Sequence, residues 1–310
     1  MSDLFAGECD GNSGAGDPGL GEAGNDTRGK PGGQSRASVT VVVPTKNAAR
    51  TLRACLDSIA RQSVPCRLVV VDCGSVDDSK AIASGYADLV LNTAPSPSLQ
   101  RNVGAQAFPA DIVGFIDADM VVGEQVVEQA IDQIAAGAGS VVVPERSFGE
   151  TYWAKVRTFE RSMYLGTLEW PRFFSYGLFQ ALGGYDKDLI AMEDTDLGIR
   201  ASAGARVGRT SDLILHDEGA LTFGAACRKK AGYAKGVAAF RSKHGSRALG
   251  SHLRRPYFEH PSSLLAQPGL GLGVLALKGG EAVAVAGRLL LDMSPRTMRR
   301  ITANSTGGMR

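Results

Sequence analysis

Val113-Gly-Phe-Ile-Asp-Ala-Asp-Met-Val-Val122 is an apolar run of buried-strand type that ends in two carboxylates, Asp117 and Asp119. In a β-strand, residues two apart face the same way, so both acids can converge on one target once the chain leaves the sheet. Two hard oxygen donors at a strand end suit a divalent cation, Mg²⁺ or Mn²⁺, that carries phosphate oxygens. The alternative for an isolated Asp-x-Asp is a polar strand end that caps a helix starting near Gly123. The surrounding chain decides between them.

Upstream, Ser38-Val-Thr-Val-Val-Val-Pro44 is a β-branched run ended by proline, and Thr45-Lys-Asn47 makes the turn. Ala48–Gln62 carries Leu52, Cys55, Leu56 and Ile59 at the spacing of one helix face. Arg67–Asp72 is a second strand, Val76–Gly85 a short helix, Asp88–Leu91 a third strand and Leu99–Phe108 a helix before the strand Asp111–Ile116. Strands alternating with helices at this spacing predict an α/β fold, with a Rossmann-like, mostly parallel central sheet and helices on both faces. Ligands of such sheets bind outside the carboxyl ends of the strands. Pro44–Asn47, Asp72 and Asp117–Asp119 all fall there, so three polar clusters converge on one crevice.

Downstream come a helix at Glu124–Ala136, a strand at Ser140–Val143 and an aromatic-rich helix at Thr151–Leu165. Glu193 and Asp194 fall at a helix start, Val207–His216 reads as a strand and Leu221–His244 as a basic helix. Residues 1–36 are Gly- and Asp-rich with almost no bulky apolar side chains, which predicts a disordered tail. The expected division is that tail, a domain at 37–245 with a nucleotide-binding half (37–122) and an acceptor half (123–245), and a basic extension at 246–310.

Net charge is +2, yet residues 227–310 hold 15 Lys/Arg against Glu259, Glu281 and Asp292. That end needs an anionic partner. Nucleic acid is set aside because the basic stretch lacks interleaved aromatics and any reading module. Arg228-Lys-Lys230, Lys235, Arg241, Lys243 and Arg254-Arg255, followed by the apolar stretch Gly269–Leu291, suit an anionic membrane surface. Lys278, Glu281 and Arg288 interrupt that stretch short of the roughly 18–20 apolar residues a spanning helix needs. Five scattered cysteines without Cys-x-x-Cys pairs, and a start without the basic-then-apolar pattern of a leader, predict reduced thiols in a cytoplasmic protein, peripheral at most at the inner face of the plasma membrane.

The order of motifs resembles the family 2 glycosyltransferases, inverting enzymes of the GT-A fold that use nucleoside-diphosphate sugars. The resemblance runs through Val41-Val-Val-Pro-Thr-Lys-Asn47, Val69-Val-Val-Asp-Cys-Gly-Ser75, Gln100-Arg-Asn-Val-Gly104, Phe115-Ile-Asp-Ala-Asp119, Gly183-Gly-Tyr-Asp186 and Glu193-Asp-Thr-Asp-Leu-Gly-Ile-Arg200, over roughly residues 38–245. Cys73 departs from it where an aspartate is common, as does Lys46-Asn47, which lacks the acid that often follows. The resemblance implies a UDP- or GDP-sugar donor and a divalent cation, Mg²⁺ or Mn²⁺. Pro44, Thr45, Asn47 and Asp72 would line the base and ribose pocket, although Asp72 alone also reads as a turn residue bonding the amides of Gly74 or Ser75. Arg101 would meet phosphate or base. Asp119 would bind the cation with His216 as a further ligand, and Asp117 the ribose or a metal-bound water.

Inversion requires a base opposite the leaving group. The resemblance gives that role to Asp194, with Glu193 beside it; burial next to Glu193 and Asp196 is expected to raise its proton affinity. Arg200 would bind at the site by pairing with these acids. The acceptor is expected to be a sugar or lipid-linked hydroxyl in cell-surface polysaccharide or glycolipid synthesis. Two rival readings are a catalytically silent nucleotide-sugar scaffold, against which the intact Asp117, Asp119, Glu193 and Asp194 argue, and a sugar nucleotidyltransferase. The latter needs a Gly-rich, Lys/Arg-bearing loop after the first strand, which Val43-Pro-Thr-Lys-Asn47 does not supply.

Overall fold

The run Val39–Thr45 forms strand β1, and its alternation sends Val39, Val41 and Val43 into one apolar cluster and Val42 into another. A strand buried on both sides needs cover on both, as inner strands of parallel sheets have. The computed structural model describes residues 36–166, 169–253 and 261–292. After β1 come α1 (Ala49–Ala60), β2 (Arg67–Asp72), α2 (Ser79–Ser84), β3 (Leu89–Asn92), α3 (Pro97–Ala107), β4 (Ile112–Phe115), β5 (Met120–Val122) and α4 (Val126–Ala135). They are followed by β6 (Ser140–Val142), β7 (Glu145–Phe148), α5 (Tyr152–Ser162), β8 (Pro171–Ser175), α6 (Tyr176–Ala181) and α7 (Glu193–Gly204). The last elements are β9 (Val207–Arg209), β10 (Ile214–Asp217), α8 (Phe223–Gly232), α9 (Ala234–Leu253, kinked at Gly245), α10 (Ser262–Leu265) and α11 (Pro268–Asp292).

The main sheet has the order β3-β2-β1-β4-β8-β6-β9, and only β8 runs antiparallel to its neighbours. Leu52, Leu56 and Ile59 of α1 and Ile131 of α4 cover one face. Ala105 of α3, Phe179 of α6 and Leu197 of α7 cover the other. The fold is the expected GT-A arrangement. Two glycines allow close approaches at the main sheet: a Cβ on Gly104 would meet Val42 and Val71, and one on Gly114 would meet the Phe173 ring. A smaller sheet of order β5-β10-β7 lies beyond the end of β4.

Three readings change at this level. The run 113–122 is two strands rather than one, because Asp117–Asp119 turn the chain into the small sheet. Val207–His216 is likewise split, by a turn in which Thr210 Oγ1 donates to the Asp212 carbonyl at 2.8 Å; β9 stays in the main sheet and β10 joins the small one. The basic helix 221–244 breaks at Tyr233 into α8 and α9. The described part of the C-terminal stretch packs through Val274 and Leu277 of α11 against Val156 of α5 and Ala226 of α8. Cys55, Cys66, Cys73 and Cys227 are free thiols. The expected tail, Arg254-Arg255 and the side chain of Lys235 lie outside the described residues.

Candidate active site

Three consecutive residues of α3 organise the crevice. Gln100 Nε2 donates to the carbonyls of Thr45 (3.1 Å) and Val71 (2.6 Å), tying the ends of β1 and β2 together. Arg101, 4% exposed, places Nη2 2.7 Å from Asp117 and Nη1 3.0 Å from Glu193, with Asp194 at 4.0 Å. Asn102 donates to the Tyr185 carbonyl at 2.8 Å and accepts from its amide at 2.9 Å, which holds the Gly183–Asp186 loop. The Arg101 guanidinium also lies 5.2 Å from the centre of the Tyr185 ring.

Asp117 is shared between two arginines, since Arg172 Nη1 is 3.1 Å from its other oxygen. Burial pushes the Asp117 carboxyl up, but Arg101 and Arg172 outweigh it and hold the group well below the usual range. Arg172 also donates to Glu145 (2.9 and 2.6 Å), and that carboxyl, again against burial, is brought down to about 2 by Arg172 and His216.

Asp119, 41% exposed, faces His216, with Oδ2 3.4 Å from Nε2. Burial disfavours the imidazolium, but the Asp119 and Glu145 carboxylates outweigh it and lift the ring to about 9. Neither acid caps the next helix. The amides at the start of α4 donate instead to Asp212 (Gln125 N, 3.0 Å) and Gln62 (Val127 N, 3.0 Å). Among the described residues, no three His, Cys, Asp or Glu side chains surround one point. Asp119 and Nε2 of His216 nevertheless fit a hard cation whose remaining positions are filled by phosphate and water, as Mg²⁺ and Mn²⁺ prefer. Such a cation would take the place of the imidazolium proton.

Glu193 and Asp194 open α7 behind Met192, which holds left-handed φ and ψ of 65° and 18°. A non-glycine residue in that region costs about 1–2 kcal/mol, and such strain gathers where side chains must be aimed. Burial, and then the neighbouring Asp194 charge, push the Glu193 carboxyl up. Asp196 is fully buried and engaged elsewhere by Arg200 (2.6 Å), Lys243 (2.8 Å) and His244 (2.6 Å). Arg200 also donates to the Leu182 and Gly184 carbonyls, so it braces α7 and the 182–184 loop and stays out of the crevice. Lys243, assigned above to an anionic surface, is exposed and pairs with Asp186 and with the buried Asp196.

Two hollows meet at the ion-pair cluster. The crevice, about 510 Å³, is lined by Pro44, Thr45, Asn47, Arg101, Asp117 and Asp119, and also by Arg50 and Lys229. The other, about 270 Å³, is lined by Tyr164, Trp170, Arg172 and Asp194, with Arg161, Lys230 and Lys278. Asp72 opens on neither. It is 1% exposed and accepts from the amides of Gly74 (2.9 Å) and Ser75 (3.0 Å), the turn role that its sequence also allowed. Sequence reasoning missed Arg172 and Glu145, for which no local signal exists, and gave Lys229 to a membrane although it faces the crevice.

The family model described as "Glycosyl transferase family 2" matches residues 40–190. Over 211 residues the chain is 28% identical to a "Pre-mycofactocin glycosyltransferase" of Mycobacterium tuberculosis, covering 60% of this chain and 44% of the relative. It is 28% identical over 200 residues to the "Succinoglycan biosynthesis protein ExoA" of Rhizobium meliloti, covering 56% and 61%. The chain thus spans about half the length of these relatives. Among solved structures, a mannosyltransferase of Pyrobaculum calidifontis in complex with GDP-Man and Mn²⁺ is similar in fold, with TM-score 0.55 and 21% identity over 87% of this chain and 85% of that one.

Proposed function

Because the family 2 glycosyltransferase model matches residues 40–190, we propose that the chain transfers a sugar, with inversion, from a UDP- or GDP-sugar in the crevice to an acceptor hydroxyl in the adjoining hollow. The observation that carries this reading is that Arg172, which lines one hollow, is bonded to Asp117, which lines the other beside Arg101. Asp119 lines the crevice and Asp194 the adjoining hollow, so in this reading the first serves the leaving group and the second the attacking hydroxyl. The turn Pro44–Asn47 holds base and ribose, while Lys229 and Arg101 face the diphosphate. A divalent cation held by Asp119 and His216 would stabilise the charge that develops on the departing nucleoside diphosphate. Asp194 accepts the proton of the attacking hydroxyl; Arg101, 4.0 Å away, and Met192, at the helix start, hold it in place. Tyr164 and Trp170 offer the acceptor an aromatic wall. An acceptor belonging to cell-surface polysaccharide or glycolipid synthesis is supported by the role named for the succinoglycan relative.

Isothermal titration of UDP- and GDP-sugars with and without Mn²⁺ tests the donor site. One donor should bind in a metal-dependent way to the wild type and to Asp194→Asn, and fail to bind Asp119→Ala. Single-turnover transfer by Asp194→Asn should fall about 10²–10⁴-fold. Unimpaired transfer by that variant would remove Asp194 from the base role, and tight metal-independent binding would remove the cation.

A further inference from the structure

Helix α11 is built inside out. Its two central charges face the protein: Lys278 Nζ lies 2.7 Å from Glu160 and 2.8 Å from Glu281, and Glu281 also pairs with Arg157. Val274 and Leu277 on the same side are fully buried. The opposite side carries Leu272, Leu275, Gly279, Val283, Ala286 and Leu290, spaced by three or four residues and so forming one stripe. Leu272, Leu275 and Val283 are 69%, 50% and 74% exposed. At 1.5 Å per residue the stripe runs about 27 Å without an acidic or basic side chain. Solvent-facing helices carry the reverse pattern, and an apolar stripe of this length on a protein surface marks a contact site.

The charges around it indicate the partner. At the far end of the stripe a groove of about 420 Å³ between α9 and α11, walled by Val237, Ala238, Val285 and Leu289, has the exposed Arg241 beside it. The sequence beyond Asp292 holds Arg296, Arg299, Arg300 and Arg310 and no acid. An apolar stripe with Arg241 beside it and an acid-free, arginine-bearing stretch following in the sequence matches a bilayer surface with anionic headgroups, where helices lie in the plane with one face sunk among the acyl chains. No helix among the described residues is long and apolar enough to cross a membrane, and the ion pairs to α5 keep the inner face of α11 on the protein.

We infer that the outer face of α11 is a membrane-docking surface for anionic lipid. The inference deepens the transfer reading without depending on it. Lys278 lines the hollow that holds Asp194, so the stripe on the far side of the same helix is about one helix diameter, 10–12 Å, from that hollow. An acceptor anchored in the bilayer would therefore reach Asp194 across a single helix.

The test is flotation of the full chain with phosphatidylcholine vesicles, with and without phosphatidylglycerol. The wild type should float with the anionic vesicles and be released by salt. The triple variant Leu272→Asp, Leu275→Asp, Val283→Asp should lose more than about tenfold in partition, since each leucine or valine removed from lipid counts for about that factor. Its melting temperature should be unchanged, because the three side chains are exposed. Leu265→Asp, at a 72% exposed position before α11, serves as a second, milder variant. Equal flotation of the wild type and the triple variant, or no flotation of the wild type, overturns the inference. So does a dimer seen by light scattering that the triple variant dissolves while neither protein floats, which would make a second copy the occupant. Asp194→Asn should float like the wild type, so the outcome is independent of whether transfer occurs.

Discussion

Arg101→Met keeps the length of the side chain and removes its charge. In the wild type the guanidinium lies 2.7 Å from Asp117 and 3.0 Å from Glu193, all within the protein. Removing one partner of a buried pair costs about 3–5 kcal/mol, because the other charge is left without compensation. Arg172 still serves Asp117 at 3.1 Å, which sets the expected loss at the lower end, about 3 kcal/mol. For a domain of this size that corresponds to a fall of about 6–12 °C in Tm. Urea unfolding at several pH values makes the cause visible. Burial pushes the Asp117 carboxyl up but Arg101 and Arg172 hold it down, so in the wild type its contribution to stability is present above the unfolded value of about 3.9. It is lost only as pH falls through the lower folded value. Between about pH 7 and 5 the wild type therefore keeps that contribution. In the variant the uncompensated carboxylates take up protons over the same range, so the gap between the two proteins should narrow. Adding Glu193→Gln to Arg101→Met should restore about 1–2 kcal/mol, a coupling that additive sites do not give. A loss below about 1 kcal/mol, a gap that does not change with pH and strict additivity would together refute the account of Arg101 as the counter-ion of the site.

Gly114→Ala should destabilise by about 1–3 kcal/mol in urea unfolding, because its Cβ would meet the Phe173 ring. His216→Ala should raise the Mn²⁺ concentration for half-maximal donor binding by about tenfold or more in titration calorimetry, with nucleotide affinity at saturating metal less affected. Glu160 and Glu281 are pushed up by burial but held below their ordinary range by Lys278 and Arg157. Their contribution is present above the unfolded value of about 4.3 and is lost as pH falls through the lower folded values. Hydrogen exchange should accordingly show α11 losing protection below about pH 4 before β1 does; simultaneous loss would disprove the ionic attachment.

The fold was legible where the signal is local and repeated. The period of two in Val39–Val43 and the helical spacing of Leu52, Cys55, Leu56 and Ile59 state both the elements and their buried faces. The acids Asp117, Asp119, Glu193 and Asp194 were legible because each sits at an element end, where side chains reach outward. What they meet was not: Arg172 lies 55 residues from Asp117, on the one strand that runs against the sheet. Asp72 could not be resolved from sequence, since a turn carboxylate and a ligand carboxylate at a strand end look alike until burial separates them. Hydropathy counted Lys278 and Glu281 as breaks in an apolar run, yet it carries no record of which way a charge points. In the fold the two face inward, and the apolar residues Leu272, Leu275 and Val283 of the opposite face are left outside.

Gln100, Arg101 and Asn102 point in three directions because neighbours on a helix are about 100° apart. One reaches the strand ends, one the carboxylates and one the Tyr185 loop. A slip of α3 by a single residue would turn all three away at once and bring Gly104, its point of closest approach to the sheet, out of register. The crevice thus behaves as a keyed joint: an insertion in α3 ahead of Gln100 would displace the strand-end, carboxylate and loop contacts together.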